Sequence, residues 1–185
     1  TIECYQPRRK GTPMGMDVYG KNQESEKGSY FRNNVWWWRP LWNYCEELHG
    51  DITHTVESGY SNDGDGLDAE NALALGQRLL NDIATGVTAK YETEYREHLA
   101  SLPTSDCDYC QGTGIRSDTV GVDNGMPTKE LEEADAIILG RTHGWCNSCR
   151  GHGEVQHFAT NYPFSIENVR EFAEFLIECD GFEIC

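Results

Sequence analysis

The chain has 185 residues, 38% of them hydrophobic and 11% aromatic, which is enough to bury a core without cross-links and too aromatic for a disordered chain. Its net charge is −16, from 31 acidic and 15 basic side chains, a field that repels phosphate backbones and anionic membranes and makes nucleic acid an unexpected partner. No run approaches the ~20 apolar residues of a membrane helix.

In chain order, residues 1–15 read as an extension, polar and basic up to Pro13. Met16–Tyr19 suits a short strand, and residues 20–34, rich in Gly, Asn and Ser, read as loop. Four of the five tryptophans follow within seven residues, at 36, 37, 38 and 42. They are either core anchors or an exposed aromatic patch for a partner. Pro40 suits a first helical turn. A helix from Pro40 to His49 would align Leu41, Cys45 and Leu48, with Gly50 stopping it. Residues 57–66 form a Gly/Asp-rich turn. They mimic a calcium loop through Ser61, Asp63 and Asp65, but Ala72 stands where a bidentate Glu is required.

Asp65 or Asp68 can cap the next helix, whose stripe is Ala72, Leu75, Leu79 and Ile83, ending at Gly86. A helix over Thr88–Ser101, with Tyr91, Tyr95 and Leu99 on one side, should fold back on it as an antiparallel hairpin. A shorter helix is expected over Thr128–Leu139 with stripe Leu131, Ala134 and Ile138. A strand is expected over Glu154–Phe158, and a last helix over Ser165–Asp180 with Val169, Phe172, Leu176 and Cys179 facing the core. The fold class is therefore α+β and predominantly helical. The expected organisation is an acidic helical body of residues 16–106 and 154–185, with residues 107–153 inserted as a zinc-binding segment around a short helix.

Eight cysteines complete the reading. Cys4, Cys45, Cys179 and Cys185 are scattered, and Cys179 is most simply a small buried hydrophobe. The other four form two pairs. Residues 107–114 are Cys-Asp-Tyr-Cys-Gln-Gly-Thr-Gly, and residues 146–153 are Cys-Asn-Ser-Cys-Arg-Gly-His-Gly. Both match C-x-x-C-x-G-x-G. Two intervening residues let one tight turn aim both thiolates at a single ion, and the glycines let the chain bend so that amide N–H groups face the sulfurs. Cys107, Cys110, Cys146 and Cys149 thus make a closed four-thiolate site, which suits one structural Zn2+ and leaves no position for a catalytic water. A pair of redox-active dithiols is the competing reading. His143, His152 and His157 lie nearby and are not needed as ligands. The absence of an apolar leader core points to a reducing cytoplasm, of a bacterium or of a phage-infected host.

The two motifs resemble the cysteine-rich zinc domain of DnaJ-type co-chaperones, over residues 107–153 only. That family carries four such repeats and two zincs, whereas this chain has two repeats, no His-Pro-Asp tripeptide of a J domain, and a foreign helix between the repeats. The resemblance therefore implies a zinc-knuckle pair that supports protein–protein contact, not co-chaperone activity. The Met16–Lys21 segment and the tryptophan run resemble small uncharacterised proteins of bacteria and phages, which brings no function.

Three functions compete. The first is a zinc-stabilised acidic interaction or regulatory protein whose partner has a basic surface. Its sharper form is a phage-encoded inhibitor or decoy. Residues 36–106 carry 4 basic and 13 acidic side chains, and residues 154–185 carry 1 and 7. The second is a small hydrolase or thiol enzyme built on Cys45, His49, Asp51 and His54, since Cys45 and His49 stand i,i+4 on a helix. His49, Asp51 and His54 could instead hold a second metal with Asp63. The third is a nucleic-acid-binding zinc module using Arg116, Lys129, Arg141 and Arg150.

Overall fold

The computed structural model describes residues 15–185. The extension expected over residues 1–15 thus lies outside the described residues, save for Gly15, which begins the first strand. The described chain forms two compact units, one of residues 15–98 with Asn161–Cys185 and one of Leu99–Thr160. It is α+β and predominantly helical, as the periodicities require.

In the first unit, β1 (Gly15–Gly20) buries Met16 and Val18 by simple alternation. The polar stretch after it is not all loop: Tyr30–Asn34 forms β2, antiparallel to β1, with Val18 opposite Phe31 and Asp17 opposite Arg32. Its alternation is real, but Asn33 rather than a hydrophobe fills the second inward position, held by Asn168 at 2.6 Å. β5 (Phe182–Ile184) closes the sheet on the other side of β1, giving the order β2-β1-β5.

Helix α1 runs over Val35–Thr53, starting five residues before Pro40. The Asn34 side chain accepts the N–H groups of Trp36 and Trp37 at 3.0 and 3.1 Å, and this cap sets the start rather than the proline. Gly50 does not stop the helix. A kink at His49 (φ −130°, ψ 32°) turns it, and Leu48 faces outward instead of joining the stripe. The tryptophans divide. Trp38 and Trp42 stack at 5.5 Å in the core, while Trp36 and Trp37 are half-buried.

Asp68 caps α2 (Ala69–Thr85) through the Asn71 N–H, and Gly86 ends it. Helix α3 (Val87–Ser101) follows after that single residue, too short a link to reverse the chain, so the expected hairpin does not form. The partner of α2 is α6 (Ile166–Glu178), capped by Ser165. The two helices approach closely at Gly76, which faces Ala173 and Leu176. The predicted stripes of both helices face the core, with only Ile83 partly rather than fully buried, and Tyr91 and Tyr95 of α3 pack on the same core beside Phe164. Cys45 and Cys179 are free thiols in that core, while Cys185 is disulfide-bonded.

The second unit is built of short pieces. β3 (Ser105–Asp106) pairs antiparallel with β4 (Glu154–Val155), so the strand expected to Phe158 is only two residues long. Helix α4 (Thr119–Asp123) is capped by Asp118. The helix expected over Thr128–Leu139 shortens to α5 (Glu133–Leu139). Met126–Thr128 is a single 3-10 turn, and Glu130 instead pairs with His143 across a β-bridge. Of the expected stripe only Leu131 is buried; Ala134 and Ile138 are exposed. Among the described residues no helix is long and apolar enough to cross a membrane.

Candidate metal centre

Each C-x-x-C pair lies in a tight turn. In the first, Cys110 and Gln111 both donate their N–H to the Cys107 carbonyl. Gln111 and Arg150, the residues after each second cysteine, hold φ of 50° and 51°, so the chain curls around the sulfur at equivalent places in both turns. The final glycines then donate their N–H groups to sulfur, Gly114 to Cys110 Sγ at 3.3 Å and Gly153 to Cys149 Sγ at 3.2 Å. Both glycines have positive φ, and each faces the other turn's backbone: a Cβ on Gly114 would run into the Gly151 carbonyl, and one on Gly153 into that of Gly112. The pattern of the sequence is thus used twice, once to bend the chain and once to let the turns close on each other.

The β3–β4 pairing, with the Cys107 N–H on the Gly153 carbonyl at 2.7 Å, sets the first turn against the second. All four sulfurs lie within 4.8 Å of one another and are buried, a group that could hold one metal ion such as zinc. Cys107 and Cys146 are 3.9 Å apart, and Cys110 and Cys149 are 3.6 Å apart. A tetrahedral ion with sulfur at ~2.3 Å separates its ligands by about 3.8 Å, so the donor set fits zinc. Burial pushes the Cys107 thiol up, but the Tyr109 and Cys110 N–H groups outweigh this and bring it down to about 7. Burial dominates at Cys149, whose thiol rises to about 12. The exposed His143, His152 and His157 take no part in the group.

Arg141 locks the two turns from behind. Its guanidinium donates to the Gly114 carbonyl at 3.0 Å and the Gly151 carbonyl at 2.8 Å. No local signal marks this role, because Arg141 merely follows the helix cap Gly140. Arg116 forms a bidentate pair with Asp118 and covers the Tyr109 ring, and Lys129 sits over Trp145. Three of the four cations considered for nucleic acid are therefore engaged within the unit.

The residues of the enzyme reading do not converge. The Cys45 thiol is wholly buried, and burial pushes it far up. His49 meets Asp82 instead, Nε2 to Oδ2 at 2.8 Å. Asp51 is paired with Arg78 on the surface at 2.8 Å, and His54 is exposed. Asp82 also accepts the Tyr44 hydroxyl at 3.0 Å, and that hydroxyl lies 3.0 Å from Thr88 Oγ1. This buried polar network joins α1, α2 and α3. Sequence reading missed it because Asp82 falls on the apolar side of α2 and looks like a break in the stripe. In the turn at 57–66, Asp65 accepts the Ser58 and Gly66 N–H groups, and Trp38 Nε1 donates to the Gly59 carbonyl. Among the described residues only the four cysteines gather as metal donors. Comparison of the chain with family models, with curated proteins and with solved structures gives no match, so the DnaJ-type resemblance rests on the two motifs alone.

Proposed function

We propose that this chain is a zinc-stabilised acidic protein that acts by binding another protein, one with a basic surface. The observation that carries the reading is the four-cysteine group, which could supply all four ligands of a tetrahedral ion. Such an ion holds structure and leaves no site for substrate or water. The charge of −16 supplies the complementary half, since it favours and accelerates encounter with a cationic surface. The sharper form is a phage-encoded inhibitor or decoy that occupies the groove where a basic host protein takes nucleic acid. Its support is the acidity of residues 36–106 and 154–185.

Two measurements test this. Elemental analysis of purified tag-free protein should find about one zinc per chain. A metal-free protein with four reactive thiols at 107, 110, 146 and 149 would sink the metal assignment. Proteins retained from a bacterial lysate on the immobilised chain should be basic and should elute as salt rises, because screening removes a steered, charge-driven contact. Retention of nucleic acid itself, or capture indifferent to salt, would count against the proposal.

A further inference from the structure

The sheet of the first unit has two edges, and among the described residues only one is covered. Beyond β5 the segment 64–67 pairs with it: Gly64 donates to the Ile184 carbonyl, Ile184 to that of Asp65, and Phe182 to that of Leu67. Beyond β2 there is no strand among the described residues. The Cys185 N–H donates to the Asp17 carbonyl, so Asp17 turns its peptide groups toward β5. Its cross-strand mate Arg32 must then turn its own N–H and C=O away from β1, and Tyr30, two residues back, does the same. Among the described residues these groups have no backbone partner, and they form an edge that is a template for another strand.

Helix α6 runs beside that edge. Phe31 of β2 rests on Phe172 and Phe175 at 5.2 and 5.8 Å. Between strand and helix lie two hollows of about 250 and 280 Å³ that share Glu171. Phe31, Phe175 and Trp37 line them on the apolar side, and Glu167, Glu171 and Glu174 line the helix side. Lys27 answers Glu174 at 2.6 Å and Arg170 lies 3.7 Å from Glu167, both on the surface, while Glu171 has no ion pair among the described residues. Arg32 is tied to Asp17 on the opposite face of the sheet.

We propose that this groove takes an extended segment of a basic protein, added as a fourth strand on β2, with alternate Lys or Arg side chains laid on Glu167, Glu171 and Glu174. The proposal rests on the basic-partner reading and locates its contact. Charge selects the occupant. A second copy of this chain would bring its own −16 against the same carboxylates. The spacing agrees for the first pair: along α6, Glu167 to Glu171 rises about 6 Å, against about 6.7 Å between same-side residues of a strand, while Glu174 follows about 4.5 Å further on and is met by the flexible length of a lysine or arginine. Backbone hydrogen bonds along β2 would supply affinity, and the acidic wall would choose the side chains.

The probe is a fluorescent peptide of alternating lysine and valine, titrated into the full zinc-loaded chain at low salt. Binding should shift the Tyr30 and Arg32 amide resonances and slow their hydrogen exchange. Glu171→Lys should weaken it about tenfold or more, and Glu57→Lys, the same charge change outside the groove, much less. Methylating the peptide's edge-facing amide nitrogens keeps its charge but removes its donors, and should cost about tenfold. Equal losses for Glu171→Lys and Glu57→Lys would overturn the groove and leave a diffuse acidic contact, sparing the basic-partner reading. Undiminished binding of the methylated peptide would overturn strand addition. Self-association that moves the same resonances without peptide would assign the edge to a second copy and overturn the proposal. No binding to any form would overturn the groove and the basic-partner reading together.

Discussion

The two units hold themselves together by different means. Residues 15–98 with Asn161–Cys185 bury a continuous apolar cluster in which Trp38, Trp42, Phe172, Phe175 and Phe182 pack ring to ring. Residues 99–160 bury little beyond four cysteines and Leu131, and leave Val120, Val122, Ile137, Ile138 and Phe158 exposed. Aromatic burial stabilises the first through area removed from water. The second is too poor in buried hydrocarbon for that, and what it gathers instead is the four-cysteine group with its N–H donors and the Arg141 guanidinium. One unit spreads its stability over many small contacts; the other concentrates it in one site.

If the four cysteines hold zinc as proposed, the sharpest way to break this contrast is to take the metal away. A strong chelator, or Cys149→Ser, should release the zinc and unravel residues 99–160, since a structural zinc contributes on the order of 10–16 kcal/mol at pH 7. Hydrogen exchange should then show residues 105–155 unprotected, while α2 and α6 keep their slow amides. Acidification acts in the same direction, because protons compete for the thiolates. Equal loss of protection in both units would mean that the first also depends on the metal.

The converse experiment strikes the aromatic core. Trp38→Ala removes a fully buried indole that stacks on Trp42 and donates to the Gly59 carbonyl at 2.7 Å. A loss of about 3–5 kcal/mol is expected for such a truncation, and denaturant unfolding followed by far-UV circular dichroism would measure it. The zinc content should stay near one per chain. A variant that loses its metal along with its core would show that the knuckle pair cannot form alone.

The division also explains what could be read in the sequence and what could not. The helices with clean stripes, α2 and α6, were legible to within a residue or two, because burial repeats every three or four positions and Asp68, Ser165 and Gly86 mark the ends. The four cysteines were legible because their C-x-x-C-x-G-x-G spacing is the one a tetrahedral metal would require. The errors fall where neither signal acts. β2 hid behind a buried asparagine. Leu131, Ala134 and Ile138 have helical spacing, but residues 129–132 are drawn into the Glu130–His143 bridge, and no apolar core was there to reward the stripe. Arg141 and Asp82 were invisible because each acts through partners distant in sequence, Gly114 at 27 residues and Tyr44 at 38.

Asp82 provides an intermediate effect within the aromatic unit. Asp82→Ala leaves His49 and Tyr44 buried without their shared acceptor. The cost should be about 1–3 kcal/mol, the penalty of stranding buried polar groups. Zinc content and peptide binding at β2 should not change, because the network touches neither. A purely catalytic role for His49 would give the opposite result, with stability intact and an activity lost.

The smallest effect belongs to the exposed isoleucines of α5. In an ordinary domain Ile→Ser on the apolar stripe of a helix creates a cavity and costs several kcal/mol, about 2–5 for a buried aliphatic truncated to Ala. Ile138 has the spacing of such a position yet is 69% exposed, and Ile137 beside it is 75% exposed. If the metal centre alone organises residues 99–160, Ile138→Ser should change the unfolding free energy by no more than about 0.5 kcal/mol, as a surface substitution does. The zinc should be retained against a competing chelator as well as in the unaltered chain. A loss above about 1 kcal/mol, or easier release of zinc, would show that the isoleucine is covered in solution and that this unit has an apolar core of its own. The contrast between the two units would then be one of degree, with aliphatic burial working alongside the thiolates.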